Sequence, residues 1–198
     1  KRKRIPLRSY FVRIAAVLVL ALRLAYILVE VTKTTALADT NYLEITSQDE
    51  KQEVVLPDGS VVFLNKHSKI IRNSNYAENN RDIILEGEAF FEVTSNREIP
   101  FKVHTLNSTI EVVGTSFNIH TDSSQVVVSV LTGKVAFYAS NNTVNRIDLE
   151  RENTGVFEID KELLTPKKTI DRNSIAWHTG KFYFDKVPLK QACDFLAT

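Results

Sequence analysis

The chain has 198 residues, with 25 Lys+Arg, 24 Asp+Glu, a single Cys and no Met, and its 43% hydrophobic and 25% charged content is that of an ordinary folded protein of one or two domains. Seven of the basic residues and one acid fall in residues 1–30, leaving 18 basic against 23 acidic residues beyond. That acidic remainder offers no electrostatic footprint for nucleic acid, and the lone Cys193 excludes an internal disulfide.

Residues 1–9 are a basic flank, with Lys1, Arg2, Lys3, Arg4 and Arg8. Residues 10–31 form the one long apolar stretch, which as a helix would extend about 33 Å, enough for a bilayer core of roughly 30 Å. The positive-inside rule then predicts a single-pass inner-membrane segment with a cytoplasmic N-terminus and everything after about Thr32 exported. Arg13 lies near the cytoplasmic end and can snorkel. Arg23 lies near the middle, where insertion costs about 2.5–3.5 kcal/mol, offset by the apolar residues that follow. A cleaved signal peptide is the competing reading, with Ala36-Leu37-Ala38 as its cleavage site. The absence of Met leads us to expect that the natural protein continues upstream of Lys1.

Residues 32–50 read as a linker, and residues 51–173 as a β domain. Short apolar runs alternate with polar residues: Ala89, Phe91 and Val93 against Glu88 and Glu92, Phe101 and Val103 against Lys102 and His104, Ile110 and Val112 against Glu111, Phe117 and Ile119 against Asn118 and His120. Pro57-Asp58-Gly59 is a turn signal. Gly59, Gly87, Gly114 and Gly133 each follow an apolar triplet closely, a loose repeat without a fixed period. The predicted fold is mainly β, two layers built as a sandwich or a β-solenoid. Residues 141–145 and 163–173 read as loops. From residue 174 to 198 the pattern changes to the beginning of a small α/β domain: a strand over Lys181–Asp185, then a helix opened by Pro188 with Leu189, Ala192, Cys193 and Leu196 on one face.

Little here carries catalysis. His67, His104, His120 and His178 lack metal-ligand spacing, and no nucleophile motif or phosphate loop is present. Glu86, Glu88 and Glu92 share a phase and are read as a solvated strand face, His104 and His120 as surface histidines. No cofactor, metal or enzymatic activity is expected. The aromatic stretch Trp177, Phe182, Tyr183, Phe184 with Leu189 is the candidate partner-binding region, with strand addition along 181–185 as its mode and burial between domains as the alternative.

The motifs resemble a known family in order. Leu56-Pro57-Asp58-Gly59-Ser60 with Leu64-Asn65, Leu85-Glu86-Gly87-Glu88-Ala89-Phe90-Phe91-Glu92-Val93, Pro100-Phe101 with Val103, Val113-Gly114-Thr115 with Phe117-Asn118, Gly133-Lys134-Val135, and Trp177, Gly180, Phe182, Phe184 with Pro188-Leu189 resemble FecR domains and the junction to their small C-terminal domain. The resemblance covers Leu56–Leu189, about two-thirds of the chain. It implies an inner-membrane regulator of cell-surface signalling. Such a protein senses the signalling domain of a TonB-dependent outer-membrane transducer. It acts on an extracytoplasmic-function sigma factor through a cytoplasmic segment that would precede Lys1. An exported glycan- or cell-wall-binding β domain without signalling is the alternative function.

Overall fold

The computed structural model describes residues 18–26, 42–140, 142–184 and 187–196. They fall into two units, residues 1–41 and 42–198. In the first unit, residues 18–26 form a helix (α1) whose side chains, Arg23 included, are exposed. No helix among the described residues is long and apolar enough to cross a membrane. Arg4, Arg8, Arg13 and the rest of the 10–31 stretch lie outside the described residues.

Among the described residues, the second unit contains fourteen strands. β1 (Tyr42–Thr46), β4 (Lys69–Asn73), β5 (Arg81–Glu86), β7 (Phe101–His104), β8 (Ser108–Val112), β11 (Lys134–Ala139) and β12 (Asn142–Glu150) make one sheet, in that order. β2 (Gln52–Val55), β3 (Val61–Leu64), β6 (Glu88–Glu92), β9 (Ser116–Thr121), β10 (Gln125–Thr132), β13 (Thr154–Glu158) and β14 (Leu163–Lys167) make the other. All pairings are antiparallel except β5 with β7. In both sheets the strand order follows the sequence order, so the chain crosses between layers while advancing along one direction. The result is a two-layer sandwich with a solenoid-like progression, and both forms of the expectation are present in it.

The alternation read from the sequence places the core. Val62 and Leu64, Ala89 and Phe91, Phe117 and Ile119, Val126, Val128 and Val130 point inward from one sheet. Ile83 and Leu85, Phe101 and Val103, Ile110 and Val112, Val135 and Phe137 point inward from the other. Phe91 stacks on Phe117 with ring centroids 5.0 Å apart and meets Phe101 edge-on at 6.1 Å. Rings that bury 150–250 Å² each dominate the energetics of such a core.

Glycines stand where the chain changes layer. Gly87 joins β5 to β6 and Gly133 joins β10 to β11, with φ of +90° and +77°. Gly114 joins β8 to β9, where a Cβ would lie 2.7 Å from Ser95 Cα. These corners are tight because each crossing uses few residues, and a side chain has no room there.

Four expectations are corrected. Residues 32–50 were expected as linker, but β1 occupies Tyr42–Thr46 within them and pairs with β4. Residues 141–145 and 163–173 were expected as loops, but β12 begins at Asn142 and β14 spans Leu163–Lys167. Both are edge strands: β12 alternates only from Arg146 onward, with Ile147 and Leu149 against Arg146, Asp148 and Glu150, while β14 shows no alternation, and Pro166 is tolerated because an edge need not donate on its outer side. The strand expected at Lys181–Asp185 is absent over Lys181–Phe184, and Asp185 lies outside the described residues. Instead the Asn173 side chain takes the place of a partner strand at one residue: Tyr183 N donates to Asn173 Oδ1 at 2.8 Å and Asn173 Nδ2 donates to Tyr183 O at 3.0 Å. The helix after Pro188 forms as expected, α3 (Leu189–Leu196).

Candidate functional site

The outer face of the β2–β14 sheet carries an unusual row. Register places Thr154, Ser129, Asn118, Phe90 and Phe63 side by side across β13, β10, β9, β6 and β3. A row on the outer face of a sandwich is normally wet. Here Thr154, Ser129, Asn118 and Phe90 are all buried, at 7%, 1%, 2% and 3% exposure.

The cover is supplied by residues 171–180. Asp171 accepts a bond from Asn173 N at 2.9 Å and opens a 3-10 turn over Arg172–Ile175, which runs into the short helix α2 (Ala176–Thr179). Gly180, at φ +67°, ends it, with its N–H on Ala176 O. Such an Asp start and left-handed Gly end are the expected caps. Ser174 Oγ meets Ser129 Oγ at 3.4 Å, Ile175 and Ala176 are buried, and the His178 ring stacks on Phe90 at 4.2 Å and 16°. The same ring lies 4.4 Å from Phe63. At the far end Lys51 Nζ donates to Trp177 O and lies 5.7 Å from the Trp177 ring centroid. Burial lowers the pKa of His178, with Glu92 opposing and Lys51 adding to that shift.

Trp177 therefore belongs to this cover and is half-buried. Phe182 and Phe184 stack with centroids 6.3 Å apart, and Tyr183 lies under Arg172 at 5.3 Å. Phe182 and Tyr183 remain 46% and 49% exposed, and Leu189 is 81% exposed at the start of α3. So the structure groups Trp177 with the sheet, leaves Phe182 and Tyr183 partly open, and leaves Leu189 bare. A groove of about 420 Å³ runs beside the cover, with Leu131, Ile175 and Tyr183 as apolar lining and Arg151, Arg172 and Lys181 as charged lining.

Beside the row sits a second cluster. Glu88 Oε2 accepts from Asn65 Nδ2 at 2.7 Å, and its Oε1 accepts from Asn118 Nδ2 at 2.9 Å. His120 Nδ1 lies 3.7 Å from Glu88 and its Nε2 3.7 Å from Asp122. Burial pushes the Glu88 carboxyl up, but the nearby His120 and the bonds from Asn118 and Asn65 outweigh it and hold its pKa below the usual value. The Glu88 carboxylate in turn raises the pKa of His120. This corrects the reading of Glu86, Glu88 and Glu92 as one solvated face. Glu86 is on β5 and Glu88 on β6, in different sheets, and the Glu88 side chain is only 16% exposed.

The sequence reading missed one more residue. Arg81 is buried at 2% exposure and binds Asp58 Oδ2 at 3.0 Å, so Asp58 does more than shape the Pro57–Gly59 turn. Its other bonds reach the carbonyls of Ile99 at 2.7 Å, Thr94 at 2.8 Å, Asn96 at 3.2 Å and, more weakly, Val113 at 3.5 Å. Tyr76 packs nearby, its phenol pushed up by burial and by the Asp58 charge. An arginine at the head of a strand is common, and only the three carbonyls converging from the 94–99 loop distinguish this one. Among the described residues, no group of three or more His, Cys, Asp or Glu side chains is placed to hold a metal ion.

Residues 43–136 match the model of the FecR protein family and carry a FecR domain. Two crystal structures, each of a candidate anti-sigma factor from Parabacteroides distasonis ATCC 8503, resemble the chain. One has a TM-score of 0.65 at 28% identity and the other 0.64 at 29%; each likeness covers 78% of this chain and 73% of that one. No curated protein matches the sequence.

Proposed function

We propose, from the FecR domain carried by residues 43–136, that this protein is a signalling regulator of the anti-sigma type that binds partners and catalyses nothing. The FecR domain is the observation that carries the reading, and the likeness to candidate anti-sigma factors over 78% of the chain supports it. In this reading residues 10–31 anchor the chain in the inner membrane with the N-terminus in the cytoplasm, and the β sandwich is periplasmic. The basic flank and the length of the apolar stretch support that topology. The sandwich senses the signalling domain of a TonB-dependent outer-membrane transducer. The partly exposed aromatics Phe182 and Tyr183, with Leu189, are its candidate contact surface, since exposed aromatics are favoured anchors at interfaces. A cytoplasmic segment preceding Lys1 acts on an extracytoplasmic-function sigma factor.

A transcript profile of a strain lacking the gene, with and without candidate nutrients, tests this. The expected result is a change confined to one or a few outer-membrane uptake operons. An unchanged profile under every condition would refute the regulator.

A further inference from the structure

We propose that residues 171–180 form a releasable strap over the β2–β14 sheet. The domain then has two states, the closed one seen here and an open one in which Phe63 and Phe90 are bare. The strap itself is independent of any partner. Its role in relaying a signal rests on the regulator reading.

The interface is built unlike a permanent core. The strap lies over a row of Thr154, Ser129 and Asn118, small polar residues where a core would place aliphatic ones. Two buried polar atoms at this interface, Trp177 Nε1 and Asn118 Oδ1, have no hydrogen-bond partner. Unpaired buried groups cost free energy in the closed state and regain water on opening. Among the described residues, the backbone–backbone bonds of Asp171–Gly180 stay within the segment, so no ladder stitches the strap to the sheet. Side chains hold it: the His178 ring on Phe90 and Phe63, the Ser174–Ser129 contact, Lys51 on Trp177, the buried Ile175 and Ala176, and the exposed Arg172–Glu152 pair at 3.8 Å. A segment held by side-chain contacts alone, with no ladder to its neighbours, is of the kind that opens below the global unfolding free energy.

Opening has a consequence at a distance in sequence. Lys51 immediately precedes β2, and Trp177 precedes the segment that leads to α3. The Lys51–Trp177 contact ties the first hairpin of the sandwich to the start of the C-terminal region. A partner that pulls on the C-terminal side would break this tie and bare the aromatic pair. Asn118 also links the strap row to Glu88 and through it to His120.

Trp177 is the single tryptophan of the chain, so its fluorescence reports the strap directly. We would follow unfolding of the 198-residue chain in detergent by tryptophan emission and by the β-sheet circular dichroism signal, with acrylamide quenching at 25 °C. In the wild type the tryptophan transition should precede the dichroism transition. His178→Ala should open the strap about tenfold more often, the effect of losing one stacked ring, while the dichroism midpoint stays in place. Lys51→Met should act in the same direction, and His178→Phe should restore quenching to the wild-type level. Coincident transitions in wild type and His178→Ala, or equal loss in both signals, would overturn the proposal and make the segment an integral part of the sandwich. This experiment needs neither transducer nor sigma factor, so its failure leaves the regulator reading standing, and the transcript profile fails or succeeds without it.

Discussion

Replacing Arg81 by Met should be the most damaging single change outside the aromatic core. The side chain is 2% exposed, its carboxylate partner Asp58 is 9% exposed, and its other donors satisfy the carbonyls of Ile99, Thr94 and Asn96. Met fills similar volume, so the loss is electrostatic. Removing one partner of a buried pair costs about 3–5 kcal/mol, because the remaining charge and the orphaned carbonyls stay desolvated. For a domain of this size, each kcal/mol lowers the thermal midpoint by about 2–4 °C, so a drop on the order of 6–20 °C is expected. Circular dichroism melts of wild type, Arg81→Met, Asp58→Asn and the double variant give the cycle. The double variant should be markedly more stable than the sum of the single losses implies, since the Asp58 charge no longer needs a partner. As a control, Lys134→Met breaks the exposed pair with Glu150 and should leave the midpoint within about 1 °C. An Arg81→Met shift no larger than that control, or strict additivity in the cycle, would sink the claim that the turn and the 94–99 loop are pinned by this residue.

Gly87→Ala should cost about 2–3 kcal/mol, because the position has φ +90° and a Cβ would stand 2.6 Å from Ser68 Oγ; urea unfolding measures it. His120→Gln should alter how stability depends on pH. The raised pKa of His120 means that its stabilisation is full below the unfolded value near 6.5 and is lost as pH rises through the folded one, so the difference between wild type and variant should shrink toward alkaline pH. The depressed pKa of Glu88 acts at the other end: its contribution is present above the ordinary value near 4.5 and is lost as pH falls through the folded one, so Glu88→Gln should flatten the acid limb of the melt series. His178 has the opposite sign to His120. Its pKa is lowered when the strap is closed, so closing is favoured at neutral pH and weakens as pH falls below about 6.5; acrylamide quenching of Trp177 should rise between pH 7.5 and 5.5, and a flat profile would show that His178 is not desolvated there.

The layers of the sandwich were legible because their signal is local. Period-two alternation in Ala89–Phe91, Phe101–Val103 and Phe117–Ile119 depends only on neighbours in the chain, and the glycines at the corners follow from backbone geometry at single residues. The start of β12 at Asn142–Asn145 and the edge strand β14 were not legible, because neither stretch alternates, and an edge strand with one neighbour does not need to. Asn118 and Glu88 were placed on a polar face for the same local reason: the sequence shows which residues share a side, and says nothing about what lies over that side. The burial of that face depends on His178, 88 residues further along than Phe90, and the pairing of Asp58 with Arg81 joins residues 23 apart. The sequence by itself determined the inner strands, the corner turns and the family resemblance, since these are written in short windows of backbone preference and hydrophobic pattern. Only the tertiary structure decided which outer face is covered, which carboxylates are held, and which arginine is buried, since each of these depends on contacts between segments that the chain brings together when the two sheets close.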